Sequence, residues 1–139
     1  MRFWDASALV PLLIDQPATE TARRLLAEDD AIVTWWGSVV ECWSAFARLR
    51  RDRVITVAEE EAARASLEDL QECWREVQPV EEVRAQAARL LRLHPLRALG
   101  AFQLSAAVLW AGSPPTGRIV TFDHRLHEAA RLEGLTALP

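Results

Sequence analysis

Arg2-Phe3-Trp4-Asp5-Ala6-Ser7-Ala8-Leu9-Val10 is the stretch on which the fold turns. Residues of strand character run into an acid, and a helical pattern begins at once, with Ser7 available as its cap. A carboxylate at the carboxyl end of a first strand stands where open α/β sheets gather their ligands. The same order returns near the other end, where Ile119-Val120-Thr121-Phe122-Asp123 again runs strand, acid, helix.

Between these two stretches, short apolar runs alternate with helical patterns. Helices are expected over 7–14, with Pro11 in the first turn, and over 18–27. A second strand follows at 31–35. The next helix, 39–50, carries Val39, Val40, Trp43, Phe46 and Leu49 on one broad apolar stripe. Thr56 opens a charge-rich helix reaching about Trp74, and 76–80 reads as an edge strand because it contains Pro79. Two helices follow, 81–93 ending at His94-Pro95, and 98–111, which is apolar almost all round and so expected to be central. The loop Gly112-Ser113-Pro114-Pro115-Thr116-Gly117 precedes strand 118–122, helix 123–133 and a short strand 135–138. Continuous apolar strands separated by helices indicate a parallel sheet of four to five strands covered on both faces, an α/β fold. No repeat, low-complexity segment or linker divides the chain, so residues 1–139 read as one domain.

Half of the 139 residues are apolar and 26% are charged, the balance of a globular protein. The net charge of −4 argues against a surface that attracts nucleic acid everywhere, and leaves room for a local basic patch. Every one of the 16 basic residues is arginine. Cys42 and Cys73 show no metal-binding or disulfide spacing and read as two buried thiols. The amino terminus lacks the layout of a signal peptide. The longest apolar run, Ala98 to Ala111, is interrupted by Gln103 and Ser105 and falls short of the ~20 residues a membrane span needs. The expected location is the cytoplasm.

Three acids are candidates for chemistry, and each has an alternative reading. Asp5 and Asp123 serve either as helix caps or as functional carboxylates. Glu41 lies about one turn into the helix after the second strand, where Ser38-Val39-Val40-Glu41 also fits a capping box. Right-handed crossovers bring successive strand ends to one edge. Clustered carboxylates there repel one another and call for a cation, and an oxygen-only set suits Mg²⁺ or Mn²⁺.

With these residues in view, the chain resembles the PIN domain, and within it the VapC-type ribonuclease toxins of toxin–antitoxin pairs. The resemblance rests on Asp5-Ala6-Ser7-Ala8-Leu9, on Glu41, on His94-Pro95-Leu96-Arg97-Ala98 leading to Gln103-Leu104, and on Thr121-Phe122-Asp123-His124-Arg125-Leu126. It implies a three-layer α/β/α sandwich and a metal-dependent endoribonuclease that cuts RNA phosphodiesters. It also implies a cognate antitoxin and a homodimer. Asp5, Glu41 and Asp123 would be the catalytic, metal-binding acids, with Ser7 and Thr121 holding them and Arg97 contacting a substrate phosphate. One departure stands out. The family pattern runs R-A-x-D-A-x-x-L, and this chain has Arg97-Ala98-Leu99-Gly100-Ala101-Phe102-Gln103-Leu104. Gly100 occupies the place of a metal-binding aspartate, so the implied activity is weakened. The alternative is a non-cleaving module that binds RNA or an antitoxin.

Other residues invite chemistry less strongly. Arg48, Arg50, Arg51 and Arg53 complement a helix carboxyl end, or hold phosphate. Trp35-Trp36 reaches the active edge and offers packing or base stacking. Trp43 and Trp74 fit core stripes, and Trp110 a possible dimer contact. His124 and His127 read as solvated residues of a helix start, and His94 as a helix-end residue. Receiver-type and haloacid-dehalogenase-type phosphotransfer domains also place acids at strand ends, but both call for a lysine that this chain lacks.

Overall fold

The computed structural model describes all residues from Met1 to Pro139. In chain order it contains β1 (Arg2–Trp4), α1 (Ala6–Leu13), α2 (Thr19–Glu28), β2 (Ile32–Trp35), α3 (Ser38–Arg51) and α4 (Val57–Gln71). It continues with β3 (Arg75–Val77), α5 (Glu81–Leu93), α6 (Ala98–Ala111), β4 (Arg118–Val120), α7 (His124–Leu132) and β5 (Thr136–Leu138).

All five strands are parallel, in the order β3-β2-β1-β4-β5. Phe3 pairs with Val33 on one side and Ile119 on the other, so β1 is the central strand. From β1 the chain winds outward to β2 and β3, then returns to lay β4 and β5 on the opposite flank. The winding therefore reverses between β1 and β4, the switch point at which parallel sheets open a crevice at their carboxyl ends. Asp5 and Asp123 follow these two strands.

Alternation of side chains across the pleat builds the three layers. Trp4, Ile32 and Val120 pack with Leu9, Ala22, Phe46 and Leu67 on the face covered by α1 to α4. Phe3, Val33, Trp35 and Ile119 pack with Val83, Leu90, Leu104 and Leu126 beneath α5 to α7. The expected α/β/α sandwich is thus the observed one.

Several local expectations shift. Pro11 sits in the body of α1 rather than its first turn. Asp5, not Ser7, takes the position before α1, and no side chain caps that helix. α4 ends at Gln71, so Trp74 enters the core from the connection to β3. β3 is an edge strand as expected, but it stops before Pro79, and β4 stops before Thr121. Val40 and Leu91 leave their predicted stripes for the surface. Of the two cysteines only Cys42 is buried, because Cys73 lies in the exposed turn after α4. No helix is long and apolar enough to cross a membrane.

Candidate active site

At the switch point Asp5 is only 5% exposed. The Ser7 hydroxyl donates to its Oδ1 at 2.7 Å. Ser7 Oγ also accepts the Phe122 N–H at 2.8 Å and lies 3.3 Å from Thr121 Oγ1, stitching the end of β4 to the start of α1. Burial pushes Asp5 from its ordinary 3.8 up to about 6; the Ser7 and Thr121 hydroxyls oppose this, and the Asp123 charge adds to it.

Glu41 stands in the first turns of α3, but the S-x-x-E capping box does not form there. Gly37 precedes the helix and no side chain caps it. A capping box forms instead at Thr56 and Glu59. Freed from that task, Glu41 Oε1 accepts a 2.9 Å hydrogen bond from Gln103 Nε2 on α6. The same amide donates to Ser38 Oγ at 2.9 Å. Ser38 Oγ is 2.7 Å from Thr34 Oγ1, and Thr34 donates to the Trp4 carbonyl at 2.7 Å. A buried polar chain therefore runs from the central strand to Glu41. Burial raises Glu41 to about 7; the Gln103 bond opposes this and the Asp5 charge reinforces it. Cys42 lies behind both acids. Burial, then the charges of Glu41 and Asp5, push its thiol up to about 12, so it is no nucleophile.

Asp123 is exposed, and its Oδ1 accepts the Arg125 and Leu126 N–H groups at 2.8 and 3.1 Å, so it does cap α7. The Thr121 hydroxyl accepts the Asp123 N–H at 3.1 Å. Glu41 and Asp123 line one cleft of about 470 Å³ together with Ser7, Ser44, Arg48 and Leu99. Arg97 lies apart from it, in a second cleft of about 350 Å³ with Leu96, Gly100, Asp123, His124 and Arg125.

The available donors are carboxylate oxygens, which suit a hard octahedral cation. No three His, Cys, Asp or Glu side chains stand close enough to hold a metal ion between them. The set does not fit an all-protein cage. It fits a cation that keeps most of its water and is gripped by one or two carboxylates. Gly100 leaves room for a side chain, since a Cβ added there would make one ordinary van der Waals contact, with Leu96 Cδ2 at 3.7 Å.

The remaining candidates are dispersed. Arg50 pairs with Glu60 of α4, while Arg48 turns to the acid cleft. Trp35 is buried and stacks on Phe102 at 5.7 Å, whereas Trp36 is half exposed. Trp43 lies under the Arg64 guanidinium, and Trp110 packs near Phe3. His94 ends α5 and bonds Glu133 at 2.6 Å. His124 is exposed and lines the second cleft, and His127 lies beside Glu128. The Gln103–Ser38–Thr34 chain is what sequence reasoning missed. The signal was a lone amide inside a helix whose only other polar side chain is Ser105.

No curated protein sequence matches the chain. Among solved structures it is similar to FitAcB of Neisseria gonorrhoeae, with a TM-score of 0.74 and 16% identity over 100% of this chain and 97% of that one. It is also similar to Mycobacterium tuberculosis VapC20, described as a Sarcin-Ricin loop cleaving toxin, with a TM-score of 0.69 and 21% identity over 93% of this chain and 95% of that one. At these identities the likeness speaks for the fold. The family model of the PIN domain matches residues 2–132. Nearly the whole chain is therefore covered, and the protein belongs to the PIN domain family.

Proposed function

We propose that this protein is a metal-dependent endoribonuclease toxin of the VapC type, with activity weakened at Gly100. What supports the reading is that Asp5 and Glu41 are both held above the ordinary carboxylate range by burial, with the Asp123 charge adding to the first and the Asp5 charge to the second, while Glu41 and Asp123 line one cleft. Acids raised by burial, with a neighbouring negative charge adding to each, favour a positive charge brought beside them.

In this reading Asp5, Glu41 and Asp123 are the metal-binding acids, one or two of which would grip a hydrated Mg²⁺ or Mn²⁺ directly and the rest through its waters. Such a cation, when bound, would lower the pKa of a water and offset charge on the phosphodiester. The chain's own work is positional. Ser7 fixes Asp5 through its hydroxyl, and Gln103 aims Glu41 toward the cleft. Asp123 spends one oxygen on the α7 amides and keeps the other free. Thr121 braces both Ser7 and the Asp123 backbone. Arg97 contacts a substrate phosphate. A cognate antitoxin restrains the enzyme, the active species is a homodimer, and the protein works in the cytoplasm.

A second reading is supported by Gly100 and by the absence of any three-ligand group: a PIN-fold module that binds RNA or an antitoxin without cutting. Mg²⁺- and Mn²⁺-dependent cleavage of structured RNAs, a sarcin–ricin loop hairpin among them, separates the two. Cleavage by the native chain that Asp5→Ala abolishes supports the toxin. Cleavage only by Gly100→Asp marks a disabled nuclease, and no cleavage by either, with RNA or antitoxin binding retained, supports the module.

A further inference from the structure

Asp123 stands between two clefts of opposite character. On one side lies the acid cleft, with Glu41, Ser7 and Ser44. On the other, between the starts of α6 and α7, lies a cleft whose side chains include Arg97, His124 and Arg125, with Gly100 leaving its wall open. Arg97 and Arg125 are both exposed. Neither is engaged in an ion pair, a state they share with seven other arginines; what sets these two apart is that they line the same cleft. The one carboxylate in this cleft, Asp123, already accepts two backbone amides of α7. Two unpaired guanidiniums and an imidazole thus face a space with one partly committed acid.

We propose that the cleft between α6 and α7 is a phosphate subsite, in which Arg97 and Arg125 grip the backbone phosphate neighbouring the one at the acid cleft. This deepens the ribonuclease reading and rests on it. Guanidinium forks match phosphate oxygens in pairs, so two arginines lining one cleft can hold that phosphate without a metal. An aspartate at position 100 would add negative charge to this wall. Glycine there leaves both the room and the positive balance. A strand passing Asp123 would then carry one phosphate toward the carboxylates and the next between the arginines.

The test is binding of a fluorescein-labelled, uncleavable 2′-O-methyl RNA oligonucleotide to the full chain in EDTA, read by anisotropy across a salt series. Arg97→Ala with Arg125→Ala should weaken binding roughly ten- to a hundred-fold and lower the salt slope by about 0.7, the share of one phosphate on a single strand. Gly100→Trp, which fills the cleft without changing charge, should weaken it similarly. Arg75→Ala with Arg118→Ala removes the same charge at the amino edge of the sheet and should leave affinity within about two-fold, as expected for sites outside the contact. Equal loss from both arginine pairs, no loss from Gly100→Trp, or no binding by the native chain overturns the proposal. The two readings fail separately. Cleavage abolished by Asp5→Ala with no effect of the cleft variants removes the subsite and keeps the nuclease. Cleft-dependent binding with no cleavage by the native chain or by Gly100→Asp does the reverse.

Discussion

Asp5 follows β1 and precedes α1; Asp123 follows β4 and precedes α7, on the adjacent parallel strand. Both are flanked by a hydroxyl, Ser7 two residues after the first acid and Thr121 two residues before the second. Yet Asp5 is buried and held near 6, while Asp123 is exposed and caps its helix. The side of the acid on which the hydroxyl lies separates them. Ser7 comes after Asp5 and donates to its carboxylate. Thr121 comes before Asp123 and accepts its backbone N–H, leaving that carboxylate to the helix. One acid is buried and kept partly protonated, and the other is tied to the helix that it caps.

The largest expected effect breaks the pair on activity. On the proposed reading Asp5→Asn should lower RNA cleavage by about 10²–10³-fold, because a neutral amide would hold the cation that offsets transition-state charge more weakly. It should also fold at least as stably as the parent at pH 8. Single-turnover cleavage and thermal melts on the same preparations check this, and a parallel loss of melting temperature would sink the contrast.

The pH dependence follows next. Burial raises Asp5, so the folded protein holds a proton that the unfolded chain has already released. Its stability contribution is therefore largest below about pH 4 and declines as pH rises toward 6, by roughly 2–3 kcal/mol in all. Glu41 extends the window to about 7. Glu60, held low by Arg64 and Arg50, acts in the opposite sense and loses its contribution as pH falls. The clean observable is accordingly the difference between native and Asp5→Asn denaturation midpoints without metal, which should widen in favour of the variant from pH 4 to 8. A pH-independent difference would show that Asp5 carries no raised pKa.

Ser7→Ala should cost about 1–3 kcal/mol, because it strands the Phe122 N–H as well as releasing Asp5. Urea titration measures it, and restoration by Ser7→Thr would show that the hydroxyl is what matters. Asp123→Ala comes last, at about 1 kcal/mol for a lost cap. Asp123→Asn should keep most of that stability, since an amide oxygen still accepts the two N–H groups, while losing the charge. Equal melting of the two variants would contradict the capping role.

The contrast also explains what could be read from the chain. Parallel strands and their helices were legible because continuous apolar runs such as Ile32–Trp35 have no other economical use in a fold of this size. That Asp5 and Asp123 share an edge followed from the handedness of crossovers. Which acid would be buried did not follow, because it depends on hydroxyl geometry at the switch point. Ser38 and Glu41 misled for a related reason. A capping box is a local pattern, and it lost to Gln103, a residue from α6 that only the folded sheet brings near. Val40 left its stripe for the surface at the start of the same helix. The arginine pair at 97 and 125 was split between two motifs, and neither motif contained the cleft they line.

Gly100 has a consequence for inheritance. It sits in the first turn of α6 without the positive φ that would require glycine, and costs that helix up to about 1 kcal/mol relative to alanine. An acid there would relieve this cost and favour the helix start. The scaffold thus exerts no pull toward glycine and no barrier against its loss. A population carrying this gene is one substitution from a fourth carboxylate, with no compensating change needed elsewhere in the fold.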